Sequence, residues 1–177
     1  ADVQAMDQAK NAVVHYLQVY DRLVNDFSAN LNDFATVAGD PLLAKYRAGL
    51  ILLRSKDIRS SGTENVVSMQ PSVKTVPQDG NHKPSDGQAD VIVATCVDVS
   101  GLKATRPDGS SDIDPHLHPQ ILQTYWVRNP SWPSDSNGWR VVGQSTPDNT
   151  PCPAGQSSAA APTSGGLFNP QPSPATG

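Results

Sequence analysis

Val91-Ile-Val-Ala-Thr-Cys96-Val-Asp-Val-Ser-Gly101 is the clearest strand pattern in this chain, and its reading decides the fold. Val91, Val93, Val97 and Val99 fall on one face, and Ile92, Ala94, Cys96 and Asp98 on the other. Both faces are fairly apolar, which predicts an inner strand covered on both sides. Upstream, Val67, Met69, Val73 and Thr75 alternate with Ser68, Gln70, Ser72 and Lys74, and Pro71 marks a bulge or an edge position. A polar loop over residues 77–88, with two Asp-Gly pairs, connects the two as a hairpin. Residues 121–128 and 139–145 read as a second hairpin across the Pro/Ser/Asn-rich loop 129–138, with Trp126 and Trp139 as its anchors.

Before residue 62 the period is helical. Met6, Val13, Leu17, Tyr20, Val24 and Phe27 share one face of a first long helix. A short helical turn over residues 32–38 follows, ended by Gly39. Asp40 is a good N-cap and Pro41 suits the first position of a second helix, whose inner stripe is Leu42, Leu43, Tyr46, Leu50 and Leu53. Arg54, Lys56 and Arg59 crowd its last turns, where cations complement the helix dipole, and Gly62 is its expected stop. Helices first and antiparallel strands second make an α+β order.

The chain has 177 residues, of which 1–146 form the expected domain and 147–177 a Pro/Ser/Ala-rich tail expected to be disordered. Thirteen basic against seventeen acidic residues give a net charge of -4 without a Lys/Arg cluster, which argues against nucleic acid as a partner. The longest apolar run, at residues 49–53, is too short to span a bilayer. No signal peptide is seen, and Ala1 is not the lipid-bearing cysteine of a mature lipoprotein. An export signal or membrane anchor would have to precede the given sequence.

Two cysteines, Cys96 and Cys152, invite two readings: reduced thiols in the cytosol, or one disulfide in an exported domain. The even count and the tail favour the disulfide, which would fasten the start of the tail to the sheet. A structural zinc site would need more ligands in a tighter spacing. Asp108, Asp112, Asp114, His116 and His118 form a loop constellation that could ligate Zn²⁺ or Ca²⁺, but their spacing does not match an EF-hand loop, and a polar surface loop is the simpler reading. The expectation is therefore no metal and no cofactor. P-loop, dinucleotide-binding and nucleophile-elbow motifs are all absent.

Three stretches carry a family resemblance: Leu43-Ala-Lys-Tyr-Arg-Ala-Gly leading to Arg59-Ser-Ser-Gly62, Val93-Ala-Thr-Cys96-Val-Asp98-Val-Ser-Gly101, and Gly138-Trp139-Arg140-Val141-Val142. Over about residues 5–146 the chain resembles the nuclear-transport-factor-2-like (SnoaL or ketosteroid-isomerase-like) superfamily, and within it small exported actinobacterial cell-envelope proteins. The resemblance implies N-terminal helices packed on a curved, cone-shaped sheet of about four strands, with a pocket between them. Tyr16, Tyr20, Tyr46 and Asp98 are the candidate pocket residues, with Asp21, His116, His118 and Tyr125 as further candidates. No pair matches an isomerase site, so no catalytic residue is assigned. The resemblance implies a secreted or cell-envelope domain that binds a protein partner or a small apolar ligand without catalysis and can form a homodimer. The alternative is a pocket enzyme of the isomerase or dehydratase type using Asp, His and Tyr for acid–base chemistry.

Overall fold

The computed structural model describes residues 1–145 and 149–155. Helix α1 (Asp2–Asn25) is long because its apolar positions recur at helical spacing, and it buries Val13, Tyr16, Leu17, Tyr20 and Val24 along one face. Ala5 and Ala9 extend that face with small side chains, so the first half of the helix lies close against its neighbours. A 3₁₀ turn, Leu31–Thr36, follows, capped by the Asn30 side chain, which accepts from the Asn32 N–H at 3.0 Å. Helix α2 (Leu42–Ser55) buries Leu42, Tyr46, Leu50 and Leu53 as expected. Pro41 occupies its boundary position, and the Asp40 carboxylate accepts from the Ala44 N–H at 3.2 Å. The expected cap is thus displaced: Pro41, not Asp40, is the N-cap, and Asp40 reaches the first turn from one residue before it.

The second helix does not run on to Gly62. It stops at Ser55; Asp57 takes a positive φ, and Arg59–Ser61 becomes strand β1, paired antiparallel with β4 (Lys103–Thr105). Arg59 consequently leaves the helix and lies over the Phe27 ring, 4.2 Å from its centroid. Gly62 has another purpose. At φ 90°, a Cβ there would sit 2.0 Å from the Gly101 carbonyl oxygen, so only glycine permits this approach. Arg54 holds the preceding corner: its guanidinium donates to the carbonyls of Leu23 at 3.0 Å, Ala29 at 3.0 Å and Asp26 at 3.1 Å.

Four strands form the main antiparallel sheet: β2 (Asn65–Thr75), β3 (Gly87–Asp98), β5 (Gln120–Trp132) and β6 (Arg140–Ser145), in the order β2-β3-β5-β6. Strand β3 is the expected inner strand, and Pro71 lies on the edge strand β2, where a missing N–H is tolerated. The architecture is α+β, with the helices packed on one face of an open sheet. Ala89, Val91 and Val93 of β3, Tyr125 and Val127 of β5 and Val141 of β6 join the helices in the main core.

The opposite face corrects the reading of β3 as covered on both sides. Ile92 and Ala94 are only half-buried, and Trp126, opposite Ile92, is 40% exposed. Trp126 lies over Gly143 on this outer face, so it does not anchor the hairpin to the core. Trp132 and Trp139 do that. Both are buried, and both indole N–H groups donate to Gln8 Oε1, at 2.9 and 3.0 Å.

Cys96 and Cys152 form a disulfide. The segment around Cys152 lies along β5: the Leu122 N–H donates to Thr150 O at 2.8 Å, and the Cys152 N–H to Gln120 O at 3.3 Å. The bridge thus covers the outer face of β3 at one point, and Cys96 is fully buried. The expected domain boundary at 146 and the tail beyond 155 lie outside the described residues.

Candidate functional site

All four tyrosines of the chain converge between the helices and the sheet. Tyr16 and Tyr20 are one helical turn apart on α1, with parallel rings 6.1 Å apart. Tyr46 of α2 meets Tyr20 edge-on at 5.7 Å, and Tyr125 of β5 meets Tyr16 at 5.8 Å. Phe34 of the 3₁₀ turn completes the box, 5.7 Å from both Tyr16 and Tyr20. Tyr16, Tyr20 and Tyr46 are therefore brought together, and Tyr125 joins them.

Polar side chains share this interior. The period of two along β5 puts Gln123 on the same inward face as Tyr125, and Gln123 pairs in register with Thr95 of β3. Gln144 of β6 lies opposite Tyr125. The groups form a chain. Tyr16 donates its hydroxyl to Gln144 Oε1 at 3.1 Å, Gln144 Nε2 donates to Gln123 Oε1 at 2.9 Å, and the Tyr125 hydroxyl donates to the same oxygen. Gln123 is fully buried, and its Nε2 has no partner among the described residues; nor has Thr95 Oγ1.

The group that sequence reasoning missed is Glu64. It stands at the entrance to β2, just after Gly62, and is fully buried with neither carboxyl oxygen hydrogen-bonded among the described residues. Desolvation pushes its pKa well above the ordinary carboxyl value, and the charge of Asp21 adds to the effect. Burial pushes Tyr46 up to about 12, with Glu64 reinforcing, and holds Tyr16 and Tyr125 well above 10.0. Asp21 itself rises to about 6 by desolvation, which the Asn25 amide partly offsets. Asn25 also donates to Gly62 O at 3.1 Å, tying the end of α1 to the approach of Glu64. A neutral carboxyl both donates and accepts, so Glu64 offers the interior both kinds of hydrogen-bonding group. The one signal for Glu64 in the sequence was a carboxylate two residues past a glycine and one before an alternating strand. It reads equally as a loop residue.

Asp98 is not in this cluster. It pairs in register with Asn65 and Gln120 on the outer face, and its Oδ1 accepts from the Ser100 hydroxyl at 2.6 Å and the Ser100 N–H at 3.0 Å. Those bonds hold its pKa below the usual carboxylate value. His116 and His118 are exposed on the loop before β5. The neighbouring acids are engaged separately: Asp112 pairs with Arg106 at 2.6 Å, and Asp114 accepts from the His116 N–H at 2.8 Å. Among the described residues no group of three or more His, Cys, Asp or Glu side chains could hold a metal ion.

No family model matches the chain, and no curated protein matches it. Among solved structures, it is similar to the intermembrane-space region of the chloroplast protein ARC6, with a TM-score of 0.47 at 10% identity, over 80% of this chain and 95% of that one. A likeness at that level carries no functional argument. The disulfide is compatible with an oxidising, extracytoplasmic setting. Among the described residues no helix is long and apolar enough to cross a membrane.

Proposed function

We propose that this is a secreted or cell-envelope domain of the nuclear-transport-factor-2-like type that binds a small, largely apolar ligand between its helices and its sheet. One observation carries the reading: Glu64, Thr95 and Gln123 are buried with polar atoms that have no partner among the described residues, and Gln123 bonds directly to Tyr125 of the aromatic cluster. Such groups each cost about 1–3 kcal/mol unless something completes their hydrogen bonds. A ligand with an aromatic or aliphatic body and one neutral donor–acceptor group would do so. The disulfide supports the location.

Phenol and toluene titrated into isotopically labelled protein test the reading. Phenol should shift the side-chain amide resonances of Gln123 and Gln144 saturably, and toluene, lacking the hydroxyl, should bind more weakly. Shifts confined to surface residues with both probes would overturn it.

A second reading, an acid–base enzyme of the isomerase or dehydratase type, draws on the same Glu64, because a carboxyl kept neutral by burial can act as a general acid. The two readings part on Glu64→Gln: a binding domain keeps its function with the amide, whereas an enzyme loses turnover and keeps affinity.

A further inference from the structure

A groove of about 570 Å³ runs between the first half of α1, the end of the 3₁₀ turn and the loop joining β5 to β6, apart from the tyrosine interior. Gln8, Asn11 and His15 line it from α1, at spacings that put them on one stripe of the helix, and Asn137, Trp139 and Arg140 line it from the loop side.

Its chemistry is one-sided. The two indole N–H groups on Gln8 Oε1 fix the orientation of that amide, so Nε2, which can only donate, faces away from the indoles. Arg140 Nη1 donates to the carbonyls of Asn137 at 2.8 Å and Trp139 at 2.9 Å, which hold the guanidinium in place. Among the described residues no carboxylate forms an ion pair with Arg140. None of the residues lining the groove is Asp or Glu, although the chain as a whole carries a net charge of -4. A fixed guanidinium and the fixed amide donor of Gln8 suit a carboxylate. The side-chain amides of Asn11 and Asn137 and the hydroxyl of Ser136 suit the alcohols of the same ligand, and the Thr36 hydroxyl, which donates to the Asp33 carbonyl at 2.6 Å, can accept from them.

We propose that this groove is a binding site for a carboxylated sugar, with the carboxylate against Arg140 and the ring hydroxyls on the α1 and loop amides. The proposal does not depend on the function assigned to the interior. The test is a nuclear magnetic resonance titration of the labelled full chain with glucuronate, glucose and acetate in parallel. Glucuronate should give saturable shifts at Gln8, Asn11, Asn137 and Arg140, with glucose weaker by about tenfold or more, the loss expected for one charge-assisted contact, and acetate weaker by a similar factor for want of the ring hydroxyls. Arg140→Gln should erase the preference for glucuronate over glucose. Asn11→Asp, an exposed change on α1 that leaves the Arg140 contacts intact, should do the same by repelling the carboxylate. Equal shifts with glucose would show that the charge is not read and would overturn the proposal. So would shifts with acetate as strong as with glucuronate, which mean an adventitious anion only, or no saturable shifts at all.

Discussion

Replacing Glu64 by Gln separates the electrostatics of the interior from its packing. In the folded protein the carboxyl titrates well above its ordinary value of 4.5, because burial and the nearby Asp21 charge disfavour its ionised form. The groups facing it are Asp21, Tyr16, Tyr46 and Tyr125, all acids, so no cation offsets the effect. Between the unfolded and folded pKa values the native state holds one proton more than the unfolded chain. Stability is therefore highest below pH 4.5 and falls as pH rises, by about 1.4 kcal/mol per pH unit, until the folded value is passed. Asp21 contributes in the same direction, but only between 3.8 and about 6, and its half-exposed position weakens the effect. Each pH unit inside that window therefore costs about 1.4 kcal/mol from Glu64 alone. With a urea slope of about 2 kcal/mol per molar for a domain of this size, the midpoint should drop by about 0.7 M per pH unit. Glu64→Gln should lack that drop. Urea unfolding at a series of pH values, with the disulfide intact, reads both curves. Parallel curves for the two proteins would refute the assignment of Glu64 as a carboxyl held neutral by burial.

Three further outcomes are expected. Serine at both Cys96 and Cys152 should cost about 4 kcal/mol in urea unfolding, since the bridge, with a sequence separation of 56, restrains a long stretch of the unfolded chain; a loss under about 1 kcal/mol would show that the link contributes little. Gly62→Ala should lower the melting temperature by several degrees, on the order of 2 kcal/mol or more, because the methyl group meets Gly101 O in a left-handed backbone, whereas Gly80→Ala, with nothing near, should be neutral within about 0.5 kcal/mol. Alkaline titration should show tyrosinate absorbance from Tyr16, Tyr46 and Tyr125 appearing together with loss of the circular dichroism of the fold; phenols ionising near 10.0 in intact protein would contradict their burial.

Local patterns carried much of this architecture. The spacing of Val13, Leu17, Tyr20 and Val24 specified a helix face, and the period of two around Val91 specified a strand, because both periodicities follow from backbone geometry alone. Where two local signals competed, the pattern misled. Arg59 looked like a cation at a helix end, but the pairing of residues 59–61 with 103–105, over forty residues away in sequence, drew it into a strand. Trp126 and Trp139 looked alike as hairpin anchors; only the register of β5 and the path of α1 put one outside and the other on Gln8.

For the candidate site the division is sharper. The sequence by itself determined that Tyr20 and Tyr46 lie on inward helical stripes, with Tyr16 a candidate beside them, and that Cys96 lies on the face opposite the valines. Only the tertiary structure decided that these tyrosines meet Tyr125, Gln123 and Gln144, that Asp98 turns outward to Ser100, and that Glu64 is the carboxyl enclosed with them. The physical reason is that burial of a charged residue is a property of its surroundings. Nothing in Gly62-Thr-Glu64-Asn marks a carboxyl for the interior until α1, α2 and β5 close around it and raise the cost of its charge.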